Sequence, residues 1–167
     1  MPTRTKRRQL QGIVAMPDAN RQTPRVRGLL IQVASELSDC KLELVFAQEK
    51  LPTHFLLRRN LRRLVARADF VLCVTDGQDP DVVFEAGLAF GLQKPLLLVI
   101  LPETRILPAT FMGHFYVELC GDASDHDRLQ SAMARLVALR SAPLRAGRSR
   151  PLSRMGCGVG ASNGRVG

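Results

Sequence analysis

The chain has 167 residues, enough for one domain with a sizeable core. Hydrophobic residues make up 46% of it, but no apolar run reaches the ~18 residues of a membrane span, so no membrane partner is expected. The formal net charge of +9 sits at the ends: residues 1–8 carry four cations, residues 141–167 carry five, and the 15 acids all lie in 9–140, against an equal number of bases.

In chain order, "QGIVAMP" (11–17) predicts a short buried strand ended by Pro17 and Asp18. Apolar residues at 26, 29, 30, 33, 34 and 37 have helical spacing over 25–37. A second strand follows at 41–47, "KLELVFA". The stretch "HFLLRRNLRRLVARA" alternates apolar and basic positions as an amphipathic helix, whose arginines read as a solvated outer face. Residues 69–75, "DFVLCVT", and 95–101, "PLLLVIL", are apolar on both faces, the mark of strands in a covered parallel sheet. Between them a helix starts with Asp79 as N-cap and Pro80 in the first turn. A short strand at 115–119 and a helix over 125–140 close the pattern. The expected architecture is α/β: a three-layer, flavodoxin-like (Rossmann-like) parallel sheet of about five strands with helices on both faces.

The expected domain covers 11–140, preceded by a basic segment, 1–10, and followed by a tail, 141–167. The tail is rich in Gly, Ser, Pro and Arg and is expected to be disordered. The basic N-terminus lacks a following apolar stretch, so no secretory signal is expected. Cys40, Cys73, Cys120 and Cys157 are widely spaced and the three histidines share no metal-ligand pattern. A reduced, cytoplasmic protein without metal or cofactor is expected. Nucleic acid is not expected as a partner except through the basic ends, because no aromatics interleave with the cations.

The helix after the third strand poses the functional question. From Val82 to Leu92 its residues are apolar or small except for Glu85. Burying that carboxylate without a partner would cost several kcal/mol, on the order of a large pKa shift. Either an arginine such as Arg21 or Arg105 neutralises it, or it lines a pocket. Asp81 lies one turn earlier on the same face, a mildly destabilising like charge. Gly87, Ala89 and Gly91 thin the helix, as a close ligand or packed backbone would require. In parallel α/β sheets ligands gather at the carboxyl ends of strands. Here those ends carry "AMPD", "TDGQDPD" and "LPET".

The string "ADFVLCVTDGQDPDVVFEAGLAFGLQKPLLLVI" resembles the core motif of the nucleoside 2-deoxyribosyltransferase-like and TIR-like superfamily. The matching residues are Asp69, Asp76, Asp79, Pro80, Asp81, Glu85, Gly87, Ala89, Lys94 and Pro95. "IVAMPD" is similar to that superfamily's first strand, and the likeness extends over 11–140. It implies that Glu85 acts at the anomeric carbon of a ribosyl group, with Asp81 or Asp79 orienting a hydroxyl or moving a proton. Ala15, Met16, Pro17, Asp18, Asp76, Gly77 and Gly87 would then contact the substrate. The implied activity is a glutamate-dependent N-glycosidase or ribosyl transferase acting on a nucleoside, nucleotide or NAD-like compound. "AMPD", which lacks the deoxyribosyltransferases' usual aromatic, and Asp81, where Asn is common, point toward the TIR-like branch and bacterial defence or signalling. The alternative is a module of the same fold that senses a nucleotide, or docks a partner, without turnover. Self-association into a homo-oligomer stays open.

Overall fold

The computed structural model describes residues 9–17, 20–37, 41–50, 57–102, 104, 111 and 113–141. Five strands form one sheet: β1 (Gln9–Ala15), β2 (Lys41–Phe46), β3 (Phe70–Thr75), β4 (Leu96–Ile100) and β5 (Phe115–Glu118). Their spatial order is β2-β1-β3-β4-β5 and every pairing is parallel. The helices are α1 (Thr23–Glu36), α2 (Ala47–Lys50), α3 (Leu57–Arg67), α4 (Pro80–Gly91) and α5 (Asp125–Ser141). This is the expected three-layer, flavodoxin-like arrangement. The short α2 was not anticipated, since a single turn has too few residues to show a period.

Burial follows position in the sheet. Every residue of β3 and β4 is buried, whereas the edge strand β5 alternates buried with half-buried residues. Central strands need apolar side chains on both faces, and edges do not. Val26, Leu30 and Val33 of α1 join Leu129, Met133 and Leu136 of α5 in a core on one face. Leu61 and Val65 of α3 join Val82, Ala86 and Ala89 of α4 in a core on the other. The loop before α5 is tied to α1 by Asp125. This buried carboxylate accepts from the Cys120 and Gly121 amides at 2.7 and 3.0 Å and from Arg25 at 3.0 Å.

Two motif residues turn out to hold the scaffold. Gln11 and Asp69 clamp β1 to the turn before β3: the Gln11 amide donates to the Asp69 carboxylate at 2.9 Å, and the Asp69 amide donates to the Gln11 carbonyl at 2.8 Å. Lys94 donates through Nζ to the carbonyls of Ala66 and Ala68 at 2.6 and 2.8 Å, covering the carbonyls that the end of α3 leaves open. Cys73 is a buried free thiol, as expected. Cys120 is disulfide-bonded, which corrects the expectation of a fully reduced chain, because sequence spacing does not report which thiols folding brings together. The basic segment through residue 8 and the tail from 142 lie outside the described residues, and β1 starts at Gln9, inside the segment set aside as 1–10. Among the described residues no helix is long and apolar enough to cross a membrane.

The end of α4 yields a stability prediction. The Lys94 amide donates to the Ala89 carbonyl and the Gln93 amide to that of Phe90, closing the helix with Gln93 at φ 53°. That left-handed position favours glycine, and a side chain there costs about 1–2 kcal/mol. The greater freedom of glycine in the unfolded chain offsets part of the gain. Gln93→Gly is therefore expected to stabilise the protein by about 1 kcal/mol, read as a rise of a few degrees in Tm.

Candidate active site

The chain turns left from β1 to β2 and right from β3 to β4, so the loops after β1 and β3 leave toward opposite faces and open a crevice at their carboxyl ends. A cleft of about 500 Å³ lies there, lined by Pro17, Asn20, Arg21, Gln22, Asp76, Gln78, Asp79 and Pro102.

Its floor is built by turn chemistry. Thr75, fully buried at the end of β3, accepts the Gly77 amide on its hydroxyl at 2.9 Å. Gly77 takes φ 82°, which a β-carbon would strain. Asp76 accepts the Gln78 amide at 3.0 Å on one carboxylate oxygen and the Asn20 side-chain amide at 3.0 Å on the other. Burial pushes its pKa up, but hydrogen bonds from the Gln78 amide, the Asn20 side chain and the Asp79 amide outweigh that, so the carboxyl is held below its ordinary range. Asp76 therefore stays ionised and braces the two loops. Asn20 also accepts the Gln22 amide at 2.8 Å, which orders the entry to α1. Asp79 caps α4 as anticipated, accepting the Asp81 and Val82 amides at 2.9 and 3.3 Å on one oxygen. Behind this rim, Gln48 of α2 donates to the Met16 carbonyl and Thr23 to the Pro17 carbonyl.

Of the residues expected at the site, Pro17, Asp76 and Asp79 line the cleft. Ala15 and Met16 are buried beneath it, Gly77 shapes its floor, and Asp81 is exposed on the first turn of α4. Asp18, with Glu103 and Arg105, lies outside the described residues. Gly87 sits elsewhere. With Val83, Phe90, Leu96, Phe111 and His114 it lines an apolar hollow of about 450 Å³ on the β4–β5 side of α4.

Glu85 is half-buried and lies on the opposite flank of α4, about 200° around the helix from Val83. Its charge reaches Cys73 on β3: burial raises the thiol's pKa most, and the Glu85 carboxylate raises it further. Glu85 follows Asp81 by one turn of α4 and is not among the described residues that line the cleft. Arg21, weighed as its structural partner, makes no ion pair among the described residues and lines the cleft. Asn20, Arg21, Gln22, Gln78 and Pro102 were not anticipated as lining residues. The turn-rich "PDANRQTP" marked a loop but not its contact with a loop 56 residues away. Among the described residues no cluster of His, Cys, Asp and Glu is placed to hold a metal ion.

No protein-family model matches the sequence, and no curated protein matches it. Solved structures do. The 2-deoxyribosyltransferase of Bacillus psychrosaccharolyticus superposes with a TM-score of 0.52 at 18% identity, over 69% of this chain and 90% of that one. The CMP N-glycosidase of Clostridium botulinum gives 0.50 at 12% identity, over 74% and 97%. A conserved protein of Enterococcus faecalis gives 0.51 at 12% identity, over 79% and 99%. What the chain shares with these proteins is its architecture: it has a nucleoside 2-deoxyribosyltransferase-like fold.

Proposed function

We propose that this protein cleaves or transfers an N-glycosidic bond of a nucleoside, nucleotide or NAD-like compound bound at the β1–β3 crevice, with Glu85 as the catalytic carboxylate. The observation that carries this reading is the placement of Glu85. It is the acid of an otherwise apolar stretch of α4, the helix capped by the cleft residue Asp79. A 2-deoxyribosyltransferase and a CMP N-glycosidase of the same fold support the reaction class.

The chemistry balances without a cofactor. A Glu85 oxygen bonds to the anomeric carbon as the carbon–nitrogen bond breaks. The electron pair leaves on the base, which gains a proton. Water or a second base then displaces the glutamate from the sugar. Asp81 or the second oxygen of Asp79 orients a sugar hydroxyl or carries the proton. Arg21 offers a phosphate a charge-assisted hydrogen bond at the rim.

The test is incubation of the purified protein with deoxynucleosides, nucleoside monophosphates and NAD, with free base read by chromatography. Release of base from one class is the expected result, with phosphorylated substrates preferred if Arg21 serves as described. Saturable binding without base release would instead indicate a sensing module. Neither binding nor release would remove the reading.

A further inference from the structure

The end of the sheet opposite the cleft carries a second feature. α3 is amphipathic: Leu61 and Val65 are buried, while Arg62, Arg63 and Arg67 are exposed. None of these three makes an ion pair or a hydrogen bond among the described residues. Arg58 and Arg59 stand one turn earlier in the same helix.

Strand register gathers more charge at that end. Arg67 ends α3, two residues before Asp69, which is clamped to Gln11 of β1. Gln9 begins β1 and is preceded in sequence by Arg8, Arg7, Lys6 and Arg4. On its other side Gln9 pairs with Lys41, which is exposed. Neighbouring strands lie about 4.8 Å apart. Gln9, the first described residue, therefore stands between Lys41 and the arginine-bearing end of α3. Among the described residues, Glu43, which accepts from Gln9, and Asp69 are the acids on this edge.

We infer that this edge is a binding surface for duplex nucleic acid, held through its phosphates by Arg62, Arg63 and Arg67 with Lys41 beside them. Arginine suits phosphate because its planar fork donates two hydrogen bonds at once. A lipid surface fits less well. Membrane-lying helices carry apolar side chains that enter the interface, whereas Arg62, Arg63, Ala66 and Arg67 are the exposed positions on this part of α3. A single strand also fits less well, because sequence-independent binding of that kind relies on aromatic stacking. Among the described residues the exposed phenylalanines, Phe84 and Phe90, belong to α4. Composition alone assigned these arginines to solvent; their lack of partners among the described residues and the register of β1, β2 and β3 argue for the surface.

The experiment is fluorescence anisotropy of a labelled 20-base-pair duplex with the full chain and with R62A/R63A/R67A, across 50–200 mM salt (reagent values of the order used to read counterion release). The intact chain is expected to bind with affinity falling linearly on logarithmic axes. The triple variant should bind at least about tenfold more weakly, with the slope reduced by roughly 2–3, one counterion per lost contact. An unchanged affinity and slope would overturn the proposal, since the basic ends alone would then hold the duplex. So would displacement by millimolar nucleotide, which would place the duplex in the cleft, or binding to anionic vesicles with none to duplex. Unchanged thermal melting of the variant would show that the arginines act at the surface and not in folding.

Discussion

Gly12→Ala is expected to destabilise the protein by about 3 kcal/mol, at the upper end of the usual penalty for overpacking a core. Gly12 lies in β1 between Leu44 of β2 and Phe70 of β3, its partners across both ladders. A β-carbon placed there would sit 2.3 and 2.5 Å from two ring carbons of Phe70 and 3.1 Å from Leu44. Phe70 is fully buried, so its ring has no solvent to turn into. Gln11 of β1 and Asp69, the residue before β3, are clamped together beside this contact, so the strands cannot spread to make room. Thermal melting should show a loss of about 10 °C. The double variant Gly12→Ala with Phe70→Leu should recover part of it, with a coupling of at least about 1 kcal/mol against the two single changes. Additive losses would mean that the ring and the glycine do not share the space described.

The same strands show what the sequence makes legible. Two-sided apolarity identified β3 and β4 as central, because burial on both faces leaves no room for alternation. The Asp79-Pro80 pair located the start of α4, because capping is local chemistry. The motif itself divides in two. Asp69 and Lys94 maintain the scaffold, one joining β1 to β3 and the other closing α3, at the end of the sheet away from the cleft. The Asp76–Asp79 turn stands at the cleft end, and Glu85 follows it on α4. Spacing along the chain cannot separate these roles, since each depends on a partner from a distant element. For the same reason the Asn20–Asp76 bridge and the disulfide of Cys120 left no readable trace. Gly87 and Glu85 are two residues apart in one short motif, yet helical geometry turns them to opposite flanks.

The largest effect is expected at Glu85. Glu85→Gln preserves the side chain's size and its capacity to accept a hydrogen bond, but removes the charge that meets the forming oxocarbenium centre. If the carboxylate acts as proposed, base release should fall by about 10³-fold or more, the scale seen when a group acting directly in a reaction is removed. Ligand affinity should change little, because the cleft residues Asn20, Arg21, Asp76 and Gln78 remain in place. The melting temperature should stay within about 2 °C, since substitutions that leave packing intact have small effects. A structural glutamate predicts the reverse: melting several degrees lower, with the folded fraction retaining its activity. Glu85→Asp separates the two further. It restores the charge but withdraws the oxygen by one methylene, so a nucleophile would still be severely impaired by misplacement of about 1 Å. A charge needed only for folding would be largely rescued. Measuring base release, calorimetric binding and melting on all three proteins decides the matter. Full activity in Glu85→Gln would end the proposal that Glu85 is the catalytic group.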